Sequence, residues 1–151
     1  MNGRNLLIAA ATLLAFPAGA EVTITNAWVR GTVPAQQATG AYMKFKSTED
    51  VKVVAASSPA AKVVEIHEMS MNGTTMEMRA VPALPLPAGK LVEMKAGGYH
   101  VMLMGLAKPL GKDDVVPITF TVEGAGGKRT TVEVKAIVVP IVAKTESIQK
   151  R

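Results

Sequence analysis

Cysteine is missing from all 151 residues. Without a thiol there is no disulfide, no zinc–thiolate site and no thiol nucleophile. Aromatic residues are scarce, at 4%. The basic residues are scattered, with no run of five or six and no arginine/aromatic stripe, which argues against nucleic-acid binding. The longest apolar run, Leu6 to Phe16, is too short to span a bilayer. There is no Gly-rich phosphate loop, no GxSxG elbow and no HExxH pair. Histidine occurs only twice, so an enzyme has little to be built from.

What is present begins with a secretory signal over residues 1–20. Arg4 supplies the positive start, Leu6 to Phe16 the apolar stretch, and Ala18-Gly19-Ala20 a small-residue cleavage site. The mature chain then starts at Glu21, in an oxidising compartment such as the periplasm, with no lasting membrane insertion. Lipid attachment is not expected, because no cysteine follows the signal. Losing Arg4 with the signal leaves 16 basic residues from the original 17, against 12 acidic ones. That modest positive charge reads as an ordinary solvated surface, or as help in docking to an acidic partner.

Residues 21–139 read as one β domain, and residues 140–151 as a frayed tail. The expected strands are 22–29, 40–47, 51–57, 63–71, 74–81, 90–94, 99–104, 115–122 and 129–139. Gly/Pro turns separate them, and no amphipathic helix is apparent in the pattern. About nine short strands argue for an all-β sandwich or barrel. Pro82, Pro85 and Pro87 predict an exposed, unpaired connection from Pro82 to Gly89. Trp28, Met43 and Met94 are expected in the core.

Chemistry concentrates between His67 and Met104. This stretch holds both histidines and seven of the nine methionines. Asn72-Gly73 predicts a tight hairpin, since a type I′ turn needs positive φ twice in succession. With those two residues as the loop, His67 would oppose Met78 and Met69 would oppose Met76. The same register opposes Glu68 to Glu77, an unfavourable pair. Further on, His100 and Met102 share a strand face by period two, while Tyr99, Val101 and Leu103 take the other. If that strand lies beside the hairpin, His67, Met78, His100 and Met102 converge into a neutral N2S2 set. Thioether and imidazole donors suit Cu(I), whereas zinc prefers thiolate, imidazole and carboxylate. The residue types alone leave a second possibility open, that the methionines are core filler.

The spacing of His67, Met78 and His100-x-Met102 resembles the signature of the PCu(A)C family of periplasmic copper chaperones. Similar phrases surround it: Glu65-Ile66-His67-Glu68, Met76-Glu77-Met78-Arg79, and Gly97-Gly98-Tyr99-His100-Val101-Met102-Leu103-Met104-Gly105-Leu106 followed by Pro109-Leu110. Ala27-Trp28-Val29-Arg30 and Gly40-Ala41-Tyr42-Met43 fit as well. The resemblance implies a cupredoxin-like Greek-key sandwich or barrel that binds Cu(I) through His67, Met78, His100 and Met102. It further implies delivery to the CuA domain of cytochrome c oxidase subunit II, alongside Sco-type copper proteins. Some members carry a His/Met-rich tail with a Cu(II) site; the segment 143–151 has no such residues.

Four functions are weighed on this reading. A blue-copper electron carrier needs a cysteine ligand and is disfavoured. A Cu(I) chaperone working by ligand exchange is the expectation. A copper buffer without a dedicated acceptor and a structural exported β domain with a Met-rich core are the alternatives.

Overall fold

The computed structural model describes residues 19–141. Residues 1–18 of the expected signal 1–20, and residues 142–151 of the expected tail 140–151, lie outside the described residues. Among the described residues ten strands form: β1 Val22–Arg30, β2 Ala38–Ser47, β3 Val51–Ser57, β4 Ala61–Asn72, β5 Thr75–Ala80, β6 Leu84–Leu86, β7 Leu91–Glu93, β8 Tyr99–Leu106, β9 Val115–Glu123 and β10 Arg129–Val139. One short 3-10 turn, Ala125–Gly127, joins β9 to β10. No helix among the described residues is long and apolar enough to cross a membrane.

The strands share one hydrogen-bonded sheet in the order β5-β4-β8-β2-β1-β10-β9-β3-β6, with β7 also pairing β2. The sheet folds over on itself, so strands distant along that path meet across the core. Phe45 of β2 and Phe120 of β9 pack edge to face there, with centroids 5.2 Å apart. The period-two pattern decides which side chains go in: Ala41, Met43 and Phe45 from β2, Val101 and Leu103 from β8, and Ile118, Phe120 and Val122 from β9 are all buried. Met43 and Met94 are core residues as expected. The expected all-β sandwich is what the chain forms.

Two expectations fail for identifiable reasons. The Pro82–Gly89 connection contains a strand, because Leu84 and Leu86 are buried and pair with Val53 and Val51 of β3. Pro85 tolerates this because β6 is a sheet edge, where a missing N–H can face outward. Trp28 is not in the core. A β-bulge lies between Thr25 and Trp28, with Asn26 at φ 53°. In an unbroken ladder Trp28 would oppose Ala41 on the inner face; the bulge sets it opposite Tyr42 on the outer face.

Candidate metal centre

The two histidines are directly opposed. Strand β8 pairs antiparallel with β4, and the register sets His67 against His100 and Glu65 against Met102. The imidazole centroids are 5.7 Å apart, with planes at 63°. On the other side of β4 the hairpin register is Met69 against Met78 and Met71 against Met76, while His67 meets Ala80. The expected pairing of His67 with Met78 is therefore displaced by two residues. The loop is Gly73-Thr74, not Asn72-Gly73, and only Gly73 needs positive φ, at 65°. A two-residue slip keeps every side chain on its face. It also removes the Glu68–Glu77 conflict, since Glu68 now opposes Arg79 and ion-pairs with it at 3.3 Å.

Each imidazole has one nitrogen held and one free to act. Nε2 of His67 lies 2.8 Å from Oε2 of Glu65. A carboxylate only accepts, so Nε2 carries the proton and Nδ1 presents a lone pair. Nδ1 of His100 donates to the Gly98 carbonyl at 3.4 Å, leaving the lone pair on Nε2. Nδ1 of His67 and Nε2 of His100 are both buried without a hydrogen-bond partner. An unsatisfied buried acceptor is costly, and two such atoms on adjacent rings form a place for a cation. Burial pushes the His100 pKa below its ordinary 6.5; the Gly98 carbonyl opposes this and the nearby His67 adds to it. His100 is thus kept neutral, the form that binds metal.

A depression of about 360 Å³ opens over this face, lined by Met69, Met78, His100 and Met102, with Gly40, Tyr42 and Arg30 on its β1–β2 side. His67 adjoins it beside His100. Gly40 opposes Met102, and a Cβ there would come within 3.0 Å of the Tyr42 hydroxyl, so glycine keeps the floor open. Tyr42 is buried. It stacks on Trp28 at 4.7 Å, tilts against His100 at 6.3 Å and carries the Arg30 guanidinium 5.9 Å above its ring.

The structure thus brings His67, His100 and Met102 together on paired strands β4 and β8, with Met78 on the next rung beside Met69. Among the described residues no group of three His, Cys, Asp or Glu side chains forms a harder metal site. Sequence reasoning missed Glu65 and Tyr42 as parts of the site, and had Met69 only as a methionine flanking it. Glu65 and Met69 lie two residues on either side of His67, so strand periodicity was the available signal. Nothing local marks Tyr42.

A family model described as "Putative lipoprotein LpqE-like" matches residues 22–135. The chain belongs to the LpqE-like family. Within this assignment, it is 30% identical over 115 residues to the "Putative lipoprotein Lxx21020" of Leifsonia xyli subsp. xyli, covering 76% of this chain and 69% of that one. The lipoprotein wording describes those relatives; none of the 151 residues here is a cysteine. Among solved structures, the LpqE-like chain resembles CuI-DR1885 from Deinococcus radiodurans, with 31% identity, 85% of this chain and 82% of that chain covered, and a TM-score of 0.56. It also shares the fold of the apo PCuAC domain from PmoF1, at 19% identity and TM-score 0.63, over 79% of this chain and 93% of that chain.

Proposed function

We propose that this protein is a periplasmic Cu(I) chaperone, holding one ion between His67, His100, Met102 and Met78. The observation that carries the reading is the pair of adjacent, buried, unpartnered nitrogens on His67 and His100. A neutral nitrogen pair bordered by thioethers suits a monovalent soft ion, and no thiolate is present to fix it. The similarity to a CuI-loaded protein from Deinococcus radiodurans supports the same cargo. Met69, opposite Met78 on the same rung, is within the same cavity lining and can share the ion during exchange.

Ligand exchange is the chemistry such a site performs. Thioethers add no charge and are displaced stepwise by stronger donors on an acceptor. Transfer then runs from imidazole and thioether toward thiolate, as in a CuA domain of cytochrome c oxidase subunit II or a Sco-type protein. Only coordinate bonds to the ion are exchanged and no covalent bond of the protein changes, so the role is delivery and not catalysis.

Anaerobic Cu(I) titration against a chromophoric competitor tests the site. One equivalent is expected to bind tightly, with loss of binding in His100→Ala and weakening of at least tenfold in Met78→Ala. Unchanged affinity in both variants rejects the ligand set. Mixing the loaded protein with an apo CuA domain separates delivery from storage: transfer to the domain supports the chaperone role, and retention of copper supports a buffer.

A further inference from the structure

We infer that the β4–β5 hairpin carries a second, outer station for the soft ion, formed by the thioethers of Met71 and Met76. This rests on the Cu(I) reading above. The two side chains are directly opposed, which places their Cβ atoms about 4.5–5.5 Å apart. Two flexible thioether arms at that spacing can close on one soft ion in a two-coordinate manner. Both are turned to solvent, at 62% and 50% exposure. The next rung toward the histidines is Met69 with Met78, and Met78 is 47% exposed. Beyond it lie His67, 12% exposed, and His100, 4% exposed. Successive rungs on one face are about 6.6–6.8 Å apart. A soft donor is therefore present at every step from the hairpin tip to the buried nitrogens, and exposure falls along the series.

The competing explanation is an apolar rim, and the sheet itself argues against it. The chain buries methionine where it needs filler, at Met43 and Met94. Every residue of β5 is exposed, Met76 among them, and Met71 on β4 is exposed as well, so Met71 and Met76 fill nothing. What distinguishes them from other exposed apolar side chains is sulfur. At the outer station the ion would exchange one thioether at a time: a Met69 or Met78 sulfur bonds as a Met71 or Met76 sulfur leaves. No electron or proton moves.

A station on the path lowers the barrier in both directions and leaves the depth of the final site alone. Leucine at both positions keeps shape and apolarity and removes the sulfur. In the Met71→Leu/Met76→Leu protein, the one-equivalent Cu(I) affinity should stay within twofold of wild type. Stopped-flow loading from a weak Cu(I) complex, and unloading to a thiol chelator, should each slow by threefold or more, in equal proportion. Methyl-labelled methionine NMR with Ag(I), a redox-inert stand-in, should move the Met78 and Met102 methyls at the first equivalent and the Met71 and Met76 methyls at the second. Unchanged rates with unmoved Met71 and Met76 methyls overturn the station while leaving the inner site standing. Failure of wild type to bind a first equivalent overturns the functional reading itself.

Discussion

The Glu65 carboxylate sits 2.8 Å from Nε2 of His67, two residues along the same strand. It fixes which ring nitrogen is protonated and so leaves the lone pair on the buried, unpartnered Nδ1. Groups that orient a metal-binding histidine typically matter by 10–100-fold in metal affinity. Glu65→Ala is expected to weaken Cu(I) binding by about that range. Glu65→Gln, whose amide oxygen still accepts from Nε2–H, should stay near wild type. The metal-free proteins check the cause: nitrogen-15 shifts of the His67 ring should report an Nε2–H tautomer in wild type and Glu65→Gln, and a mixture in Glu65→Ala.

Acidification should loosen the metal-free fold through His100. Its folded-state pKa lies below the ordinary 6.5, chiefly because of burial. Above 6.5 neither the folded nor the unfolded histidine is protonated. As the pH falls below 6.5, the unfolded chain takes up the proton first, and stability declines until the lower folded pKa is passed. Urea midpoints measured with chelator at pH 7.5 and 5.5 should differ more for wild type than for His100→Gln. Equal differences would remove His100 as the cause.

Met43 separates core from site. It is 1% exposed on the inner face of β2, so Met43→Ala should cost about 2–5 kcal/mol of unfolding free energy. Copper affinity should be unchanged wherever the variant is folded. Met102→Ala should do the reverse, and the two effects should add in the double variant, because the side chains lie on opposite faces of the sheet.

Gly40 tests the open floor. A valine there must displace the Tyr42 hydroxyl, which already lies 3.0 Å from where a Cβ would stand. Tyr42 is held between Trp28 and His100, so the strain passes to the imidazole. Gly40→Val is expected to weaken Cu(I) binding severalfold and to change the fluorescence of Trp28, the only tryptophan. Normal affinity with unaltered emission would show that the floor has slack.

How much of this was readable in advance follows from the range of the interactions. Strand alternation is local, so Ala41, Met43 and Phe45 could be assigned inward and Val101 and Leu103 with them; all five are buried. The Asn-Gly signal located the hairpin, but the register depends on one backbone dihedral at Gly73 and slipped by two residues. The slip left every face intact, which is why the grouping of histidines and methionines survived it. The pairing of β4 with β8 joins segments more than thirty residues apart, and no local pattern encodes it. The edge strand around Pro85 was hidden because proline's prohibition applies to central strands and relaxes where one side is unpaired.

The bulge at Asn26 has a last consequence for the aromatic layer. Before it, even-numbered residues such as Ile24 point inward, opposite Phe45; after it, odd-numbered Val29 does, opposite Ala41. Parity is exchanged by one surplus residue. Excising Asn26 would carry the ladder straight from Thr25–Lys44 through Ala27–Met43 to Trp28–Tyr42. A one-residue deletion scrambles downstream contacts in most strands, yet here it would leave the indole on its phenol. Straightening the strand with Asn26 retained would instead drive the indole inside and strip Tyr42 of its cover.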